Sequence, residues 1–180
     1  MEIIKKFFYA TMLLGSLYVQ AWTQVLFRPK HDVKNHLIKY IEQESQAVYC
    51  AMYVLSDKQI AQALVDAYER GVKIDLILDQ YSWTTSFGKG RYLRDHGISF
   101  LVFAPDNFAY IKTLMHAKMF VFVGQGVAWS GSYNCTRTAS TKNLELVTVT
   151  DEKNVIESFI EFFHLLEELE DIKRIEPVEE

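Results

Sequence analysis

Cysteine is nearly absent from this sequence: Cys50 and Cys135 are the only two, with 84 residues between them. No zinc pattern has that spacing. A bond between them in an oxidising compartment stays open, and a buried free thiol is the default for Cys50, which sits inside an apolar run. Length is what the N-terminal apolar stretch lacks: Phe7 to Val19 covers 13 residues, against the roughly 20 of a membrane-spanning helix. There is no repeat, linker or low-complexity segment ahead of the acidic C-terminal end. Charged residues make up 23% of the 180 and hydrophobic ones 49%, a balance that excludes a disordered chain and suffices for the core of one domain.

What is present is unevenly spread. The opening "MEIIKKFFYATMLLGSLYVQAW" sets two lysines before the short apolar run and small residues after it. That is the layout of a secretory signal cut before Trp22. Residues 1–21 are expected to be a signal peptide and the mature chain periplasmic or secreted; the alternative is a membrane anchor through residues 7–22. Residues 22–170 are expected to form one domain and 171–180 an acidic tail, since 167–180 hold seven acids and two bases, the composition of a solvated, frayed end. Residues 84–143 have the opposite bias, with seven bases and two acids. A positive surface of that kind favours phosphate or nucleic acid.

Hydrophobic periodicity predicts a strand at "TQVLF", then a helix with Val33, Leu37, Tyr40, Ile41 and Glu44 at helical spacing. The run "QAVYCAMYVL" predicts a buried strand. Ser56 and Gln59 resemble a capping box for a second helix, with Ile60, Leu64, Ala67 and Tyr68 on one face and Gly71 as its stop. A strand at "VKIDLILD", a short helix at "RYLRDHG" and a strand at "ISFLVF" follow. Three strands, "KMFVFV", "GVAWSGS" and "LELVTVT", precede a closing amphipathic helix with Val155, Phe159, Phe162, Phe163 and Leu166 on one face. Alternation of strands and helices in the first half implies an α/β fold with a mixed, mostly parallel sheet flanked by helices.

Polar residues interrupt the apolar strands of the second half. Alternate residues of a strand share a face, so His116 and Lys118 are expected to point together, as are Ser130, Ser132 and Asn134, and then Asn143 and Glu145. Neighbouring strands would gather these groups at one sheet edge. Burying an imidazole, an ammonium and a carboxylate with no use for them costs several kcal/mol unless they satisfy one another. The cluster is expected to be a site.

The sequences "HAK" at 116–118, "GSYN" at 131–134 and "TKNLE" at 141–145, followed by an amphipathic helix, resemble the phospholipase D superfamily, whose signature reads H-x-K-x4-D with a downstream G-S-x-N. The likeness is nearest to the small single-motif members, the exported bacterial endonucleases and the mitochondrial cardiolipin hydrolase and RNA nuclease group. The resemblance implies that His116 is the nucleophile on phosphorus, forming a phosphohistidine. It implies that Lys118 and Asn134 hold the nonbridging oxygens, that Ser132 is a supporting donor, and that Glu145 accepts the second N–H of a histidine. Ser130 and Asn143, on the same expected faces, join Ser132 as substrate-binding candidates. Tyr110 joins them from "NFAYIKTL", where Phe108 and Tyr110 could stack on bases, touch lipid or simply pack in the core. No carboxylate cluster is at hand for magnesium or zinc, so the expectation is no metal and no cofactor.

Two departures matter. The motif's aspartate position is Val123, at odd separation from His116 and so on the opposite face of an unbulged strand. Its loss is expected to alter support more than chemistry, with a catalytically dead relative as the alternative. Second, none of His31, His36, His96 or His164 has a lysine two residues on. Displacement through phosphohistidine also needs an acid for the leaving oxygen, and a twofold dimer would supply it from a second His116. The expected function is a metal-independent phosphodiesterase, an exported homodimeric endonuclease of low sequence specificity. Alternatives are a phospholipid hydrolase and a noncatalytic phosphate- or nucleic-acid-binding dimer.

Overall fold

The computed structural model describes residues 20–105 and 113–178. Residues 1–19 of the expected signal segment, Phe108 and Tyr110 lie outside the described residues. Strand β1 (Thr23–Phe27) leads to helix α1 (Val33–Gln43), β2 (Ala47–Met52), α2 (Lys58–Glu69) and β3 (Lys73–Asp79). Two short helices, α3 (Gln80–Thr84) and α4 (Gly90–Asp95), precede β4 (Phe100–Phe103). Then come β5 (Lys118–Phe122), β6 (Val127–Gly131), α5 (Arg137–Thr141), β7 (Leu146–Thr150), α6 (Lys153–Glu167) and β8 (Ile172–Ile175). All the strands join one sheet in the order β1-β7-β6-β5-β2-β3-β4-β8.

Alternation along β5 shows why both faces of the sheet are covered. Phe120 and Phe122 face one way with Trp129, in a core closed by Leu37 and Ile41 of α1 and Ile60 and Leu64 of α2. Met119 and Val121 face the other way, against Phe163 and Leu166 of α6. Helices α1 and α2 cover the first face together with Leu93 of α4 and Ala139 of α5, and among the described helices α6 covers the second, packing on β2, β5 and β6. It does not reach the far edge. Val25 of β1 and Leu146 of β7 stay exposed on the α6 side, Leu146 by 52%.

The expected α/β class holds, with a mixed sheet flanked by helices, but the expectation of a mostly parallel one does not. Only β2–β3 and β3–β4 run parallel, whereas β1–β7, β7–β6, β6–β5, β5–β2 and β4–β8 are antiparallel. The first strand is the cause: it pairs with β7 across the sheet instead of with β2, and short links fold the second half into antiparallel neighbours. Part of the expected acidic tail is also ordered. Ile172–Ile175 pairs with β4 as an edge strand, where its lysine and arginine blunt the edge. The cap of α2 is Asp57, accepting from Gln59 N and Ile60 N, and Tyr68, Val155 and Phe162 are exposed, not core. Cys50 and Cys135 are free and buried.

Glu44, expected on the helix face, lies just past α1 and turns inward, 2% exposed. Its carboxylate accepts from Ser45 N (2.9 Å), Gln46 N (2.7 Å), Gly124 N (2.8 Å) and the Gln125 side chain (3.2 Å). It therefore pins the β5–β6 turn to the end of α1. Burial opposes its ionisation, but the hydrogen bonds from Gln46, Gly124, Gln125 and Ser45 outweigh it and hold the carboxyl below its usual range. A carboxyl lowered on folding adds stability that is present at neutral pH and lost as pH falls through its folded value. Glu44→Gln is expected to cost about 1–3 kcal/mol in urea unfolding at neutral pH, and the difference from wild type should shrink in acid.

Candidate active site

The site forms where β2 and β3 end and β5 begins. Backbone N–H of Tyr53, just past β2, donates to the Ala117 carbonyl (2.9 Å), tying the approach to β5 against the end of β2. The Tyr53 ring then lies beside both motif residues: its centroid is 4.7 Å from that of the His116 ring and 5.2 Å from Lys118 Nζ. His116 is exposed. Lys118 is 8% exposed, and its Nζ donates to the His116 carbonyl oxygen (2.7 Å). Burial pushes its ammonium below the ordinary lysine range, while the negative Glu145 works in the opposite direction.

Glu145 is buried just ahead of β7, and its carboxylate is held from two sides. Ser132 Oγ donates to Oε2 and Asn143 Nδ2 to Oε1 (3.0 Å). Gly131 makes this closeness feasible, because a Cβ there would lie 2.1 Å from the Leu146 carbonyl oxygen. With no side chain in the way, Ser132 N donates to that carbonyl (2.9 Å) and its hydroxyl reaches Glu145. Asn134 is half-buried, and its Oδ1 is buried with no hydrogen-bond partner among the described residues, a state that native interiors rarely leave unexplained. The next residue, Cys135, accepts from Ser56 N and Asp57 N (both 2.9 Å), so Asn134 is anchored beside the chain that carries Tyr53.

Most of the expected cluster thus comes together: His116 and Lys118 on Tyr53, and Ser132, Asn143 and Glu145 in one hydrogen-bonded group whose charge acts on Lys118. Ser130 does not join it. The register pairs it with Met119, on the α6 side, where it lines a groove of about 490 Å³ with Met119, Asn154, Val155, Phe159 and Phe162. Alternation runs only to Gly131, where β6 ends, so Ser130 and Ser132 do not share a face. Asn143 gives one of its two Nδ2 hydrogens to Glu145. Glu145, expected to accept from a histidine, accepts from Ser132 and Asn143 within the chain. The other histidines form local contacts: His31 with Phe27, His36 with Asp32, His96 with Tyr92 and His164 with Glu167. Among the described residues no three His, Cys, Asp or Glu side chains gather as a metal-holding group.

Asp79 went unnoticed in the sequence. It is 1% exposed, caps α3 by accepting from Tyr81 N (2.9 Å), and accepts from Met115 N (3.0 Å), the residue before His116. Burial raises its carboxyl above the usual range, against the pull of the Tyr81 and Met115 N–H groups and of His116. "VKIDLILD" reads as an ordinary strand ending in an acid, so nothing local marks Asp79 as the anchor of a segment 36 residues on.

A family model described as cardiolipin synthase, phospholipase D-like domain, matches residues 37–166. The phospholipase D of Rickettsia prowazekii (strain Madrid E) is 27% identical over 135 residues, covering 75% of this chain and 62% of that protein. That of Rickettsia typhi (strain ATCC VR-144 / Wilmington) is 26% identical, with 75% and 63% covered. The chain therefore spans less than two thirds of the length of these relatives. Among solved structures, the phospholipase D family member Nuc from Salmonella typhimurium superposes with a TM-score of 0.73 at 22% identity, over 87% of this chain and 99% of that one. NucT from Helicobacter pylori does so with a TM-score of 0.74 at 18% identity, over 83% and 97%.

The lowered Lys118 gives a stability test. Between its folded value and the ordinary value of 10.5, the unfolded chain binds the extra proton, so its contribution to stability should rise as pH climbs through that window. The buried thiols of Cys50 and Cys135, pushed above their ordinary range, pull total stability down over the same alkaline range, so the lysine is read by difference: in urea unfolding from neutral to alkaline pH, the stability of wild type relative to Lys118→Met is expected to rise with pH.

Proposed function

The chain belongs to the phospholipase D-like domain family, and on that footing we propose that it is a phosphodiesterase working through a phosphohistidine on His116, with nucleic acid as its substrate. The observation that carries this reading is a buried ammonium, Lys118, next to an exposed imidazole, His116, on one tyrosine ring. A phosphodiester entering there meets a fixed positive charge in a poorly hydrated place, where it counts for more than in water. The carboxamide of Asn134 supplies a neutral donor, Nδ2, for a nonbridging oxygen. Ser132 and Asn143 hold Glu145, whose charge works against the effect of burial on Lys118.

In the proposed reaction, a ring nitrogen of His116 bonds to phosphorus as the bond to the leaving oxygen breaks, and that oxygen takes a proton from the His116 of a second copy. Water then gives a proton to this second imidazole and attacks phosphorus, and the P–N bond breaks. The products are a phosphomonoester and an alcohol, and no step uses a metal. We take the second copy to dock on the uncovered α6 side of β1 and β7. Val25, Leu146, Val155 and Phe162 are exposed there, and the adjoining groove is also lined by Ala117 and Lys118, so the apolar face runs up to the site. Export through residues 1–21 belongs to the same proposal. That groove also favours a second reading, a phospholipid substrate with its acyl chain in the groove.

Purified protein is to be incubated in EDTA with single-stranded DNA, duplex DNA, RNA and cardiolipin vesicles. Cleavage of nucleic acid is expected, with a loss of about a thousandfold or more in His116→Asn; vesicle hydrolysis alone would establish the second reading, and equal rates for both proteins would end the catalytic one. Sedimentation at concentrations of full activity should give twice the chain mass, and a monomer there would defeat the shared-histidine scheme.

A further inference from the structure

Trp83 of α3 packs on Phe100 at the edge of the core, but the other aromatic side chains of α3 and the loop after it have no such partner in the core. Tyr81 and Phe87 are 40% and 49% exposed, although burying them would be favourable. They continue the line begun at the site. From the His116 ring, the next centroid is Tyr53 at 4.7 Å, then Tyr81 at 6.2 Å from Tyr53 and nearly parallel to it (21°), then Phe87 at 5.3 Å from Tyr81.

The row is rigidly mounted. Ser82, 1% exposed, donates from Oγ to the Tyr53 carbonyl and accepts from Leu55 N, both at 2.9 Å, so α3 is fixed to the chain carrying Tyr53. Asp79 caps the same helix while holding Met115. A Cβ at Gly88 would fall 2.1 Å from the Ser82 carbonyl oxygen, so the loop lies flat on α3 and fixes Phe87 next to Tyr81. Lys89 N donates to the Leu55 carbonyl (2.9 Å) and closes the loop onto the same strand end. From Gln80 to Arg94 there is no acid; Arg94 is paired with Asp95 (2.7 Å), which leaves Lys89 and Arg91 as the basic residues of the loop and the start of α4.

We propose that Tyr53, Tyr81 and Phe87 form a shelf on which unpaired nucleobases stack, leading a single nucleic-acid strand to the phosphate held at His116. This rests on the phosphodiesterase reading and extends it to a substrate class. Flat rings beside a basic backbone track are how proteins hold single strands without reading sequence. A duplex keeps its bases stacked on one another and offers none to the shelf. A lipid would need an aliphatic channel, and the Lys89 and Arg91 side chains add nothing for a neutral acyl chain. Single-stranded DNA and RNA share the required chemistry.

The test uses Tyr81→Ala, Phe87→Ala and Tyr81→Trp, with thermal melts to verify folding. Cleavage of a single-stranded DNA oligonucleotide, the same sequence in RNA, its duplex and bis(p-nitrophenyl) phosphate is measured for each. For each alanine variant, kcat/KM on single strands relative to the small diester should fall about tenfold, and Tyr81→Trp should retain it. Anisotropy of the labelled oligonucleotide with His116→Asn protein reads binding separately and should weaken by a similar factor when either alanine change is added. An unchanged ratio with unchanged binding would overturn the shelf even in an active enzyme, as would a loss confined to duplex DNA or cardiolipin vesicles. If no diester is cleaved while oligonucleotide binding still depends on Tyr81 and Phe87, the shelf stands and the catalytic reading fails.

Discussion

A buried ammonium with too few partners is the constraint around which the site is arranged. Lys118 can donate three hydrogen bonds; one goes to the His116 carbonyl, the Tyr53 ring lies near, and Glu145 contributes its field. Keeping a charge away from water is expensive unless it is paired. The chain limits that cost without removing it, since the carboxylate is committed to Ser132 and Asn143. What remains unmet is a demand for anionic oxygen next to an exposed imidazole. That residual demand is the physical basis for proposing a phosphodiester ligand.

The sheet explains why these groups meet where they do. Strands β2 and β3 run parallel, and their carboxyl ends, Tyr53 and Asp79, lie side by side, the place where open α/β sheets leave a crevice. The antiparallel strand β5 starts at that same edge with Lys118, and Gly131 at the end of β6 and Glu145 before β7 follow in neighbouring strands. One edge therefore collects two strand ends from the parallel half and a strand start from the antiparallel half. Asp79 joins the two halves by binding Tyr81 N and Met115 N with one carboxylate.

Much of this was legible in the sequence because local patterns carried it. Alternation and helical spacing located the main strands and α1, α2, α4 and α6, and the spacing of His116, Lys118, Ser132, Asn134 and Glu145 marked the cluster. What escaped depended on tertiary partners. The pairing of β1 with β7 cannot be read from either strand alone, and β8 is polar on its exposed side, so it looked like a charged tail. Ser130 was misplaced because alternation was carried past Gly131, where the strand ends. Tyr53 and Asp79 are ordinary residues at strand ends until folding brings Ala117 and Met115 against them.

Val123 shows how a missing motif residue can be understood from packing. In β5 the odd positions face α6, and Val123, the first residue of the turn, packs among the residues under that helix, away from Lys118. An aspartate there would therefore not face the cluster. The turn still gets its carboxylate, from Glu44 at the end of α1, which takes the Gly124 N–H and the Gln125 side chain. Because Gln46 and Ser45 bond the same carboxylate, the turn at the far end of β5 is tied to the start of β2, alongside which β5 runs to Lys118. With the turn held from outside the motif, an apolar residue at 123 is free to serve the α6 core.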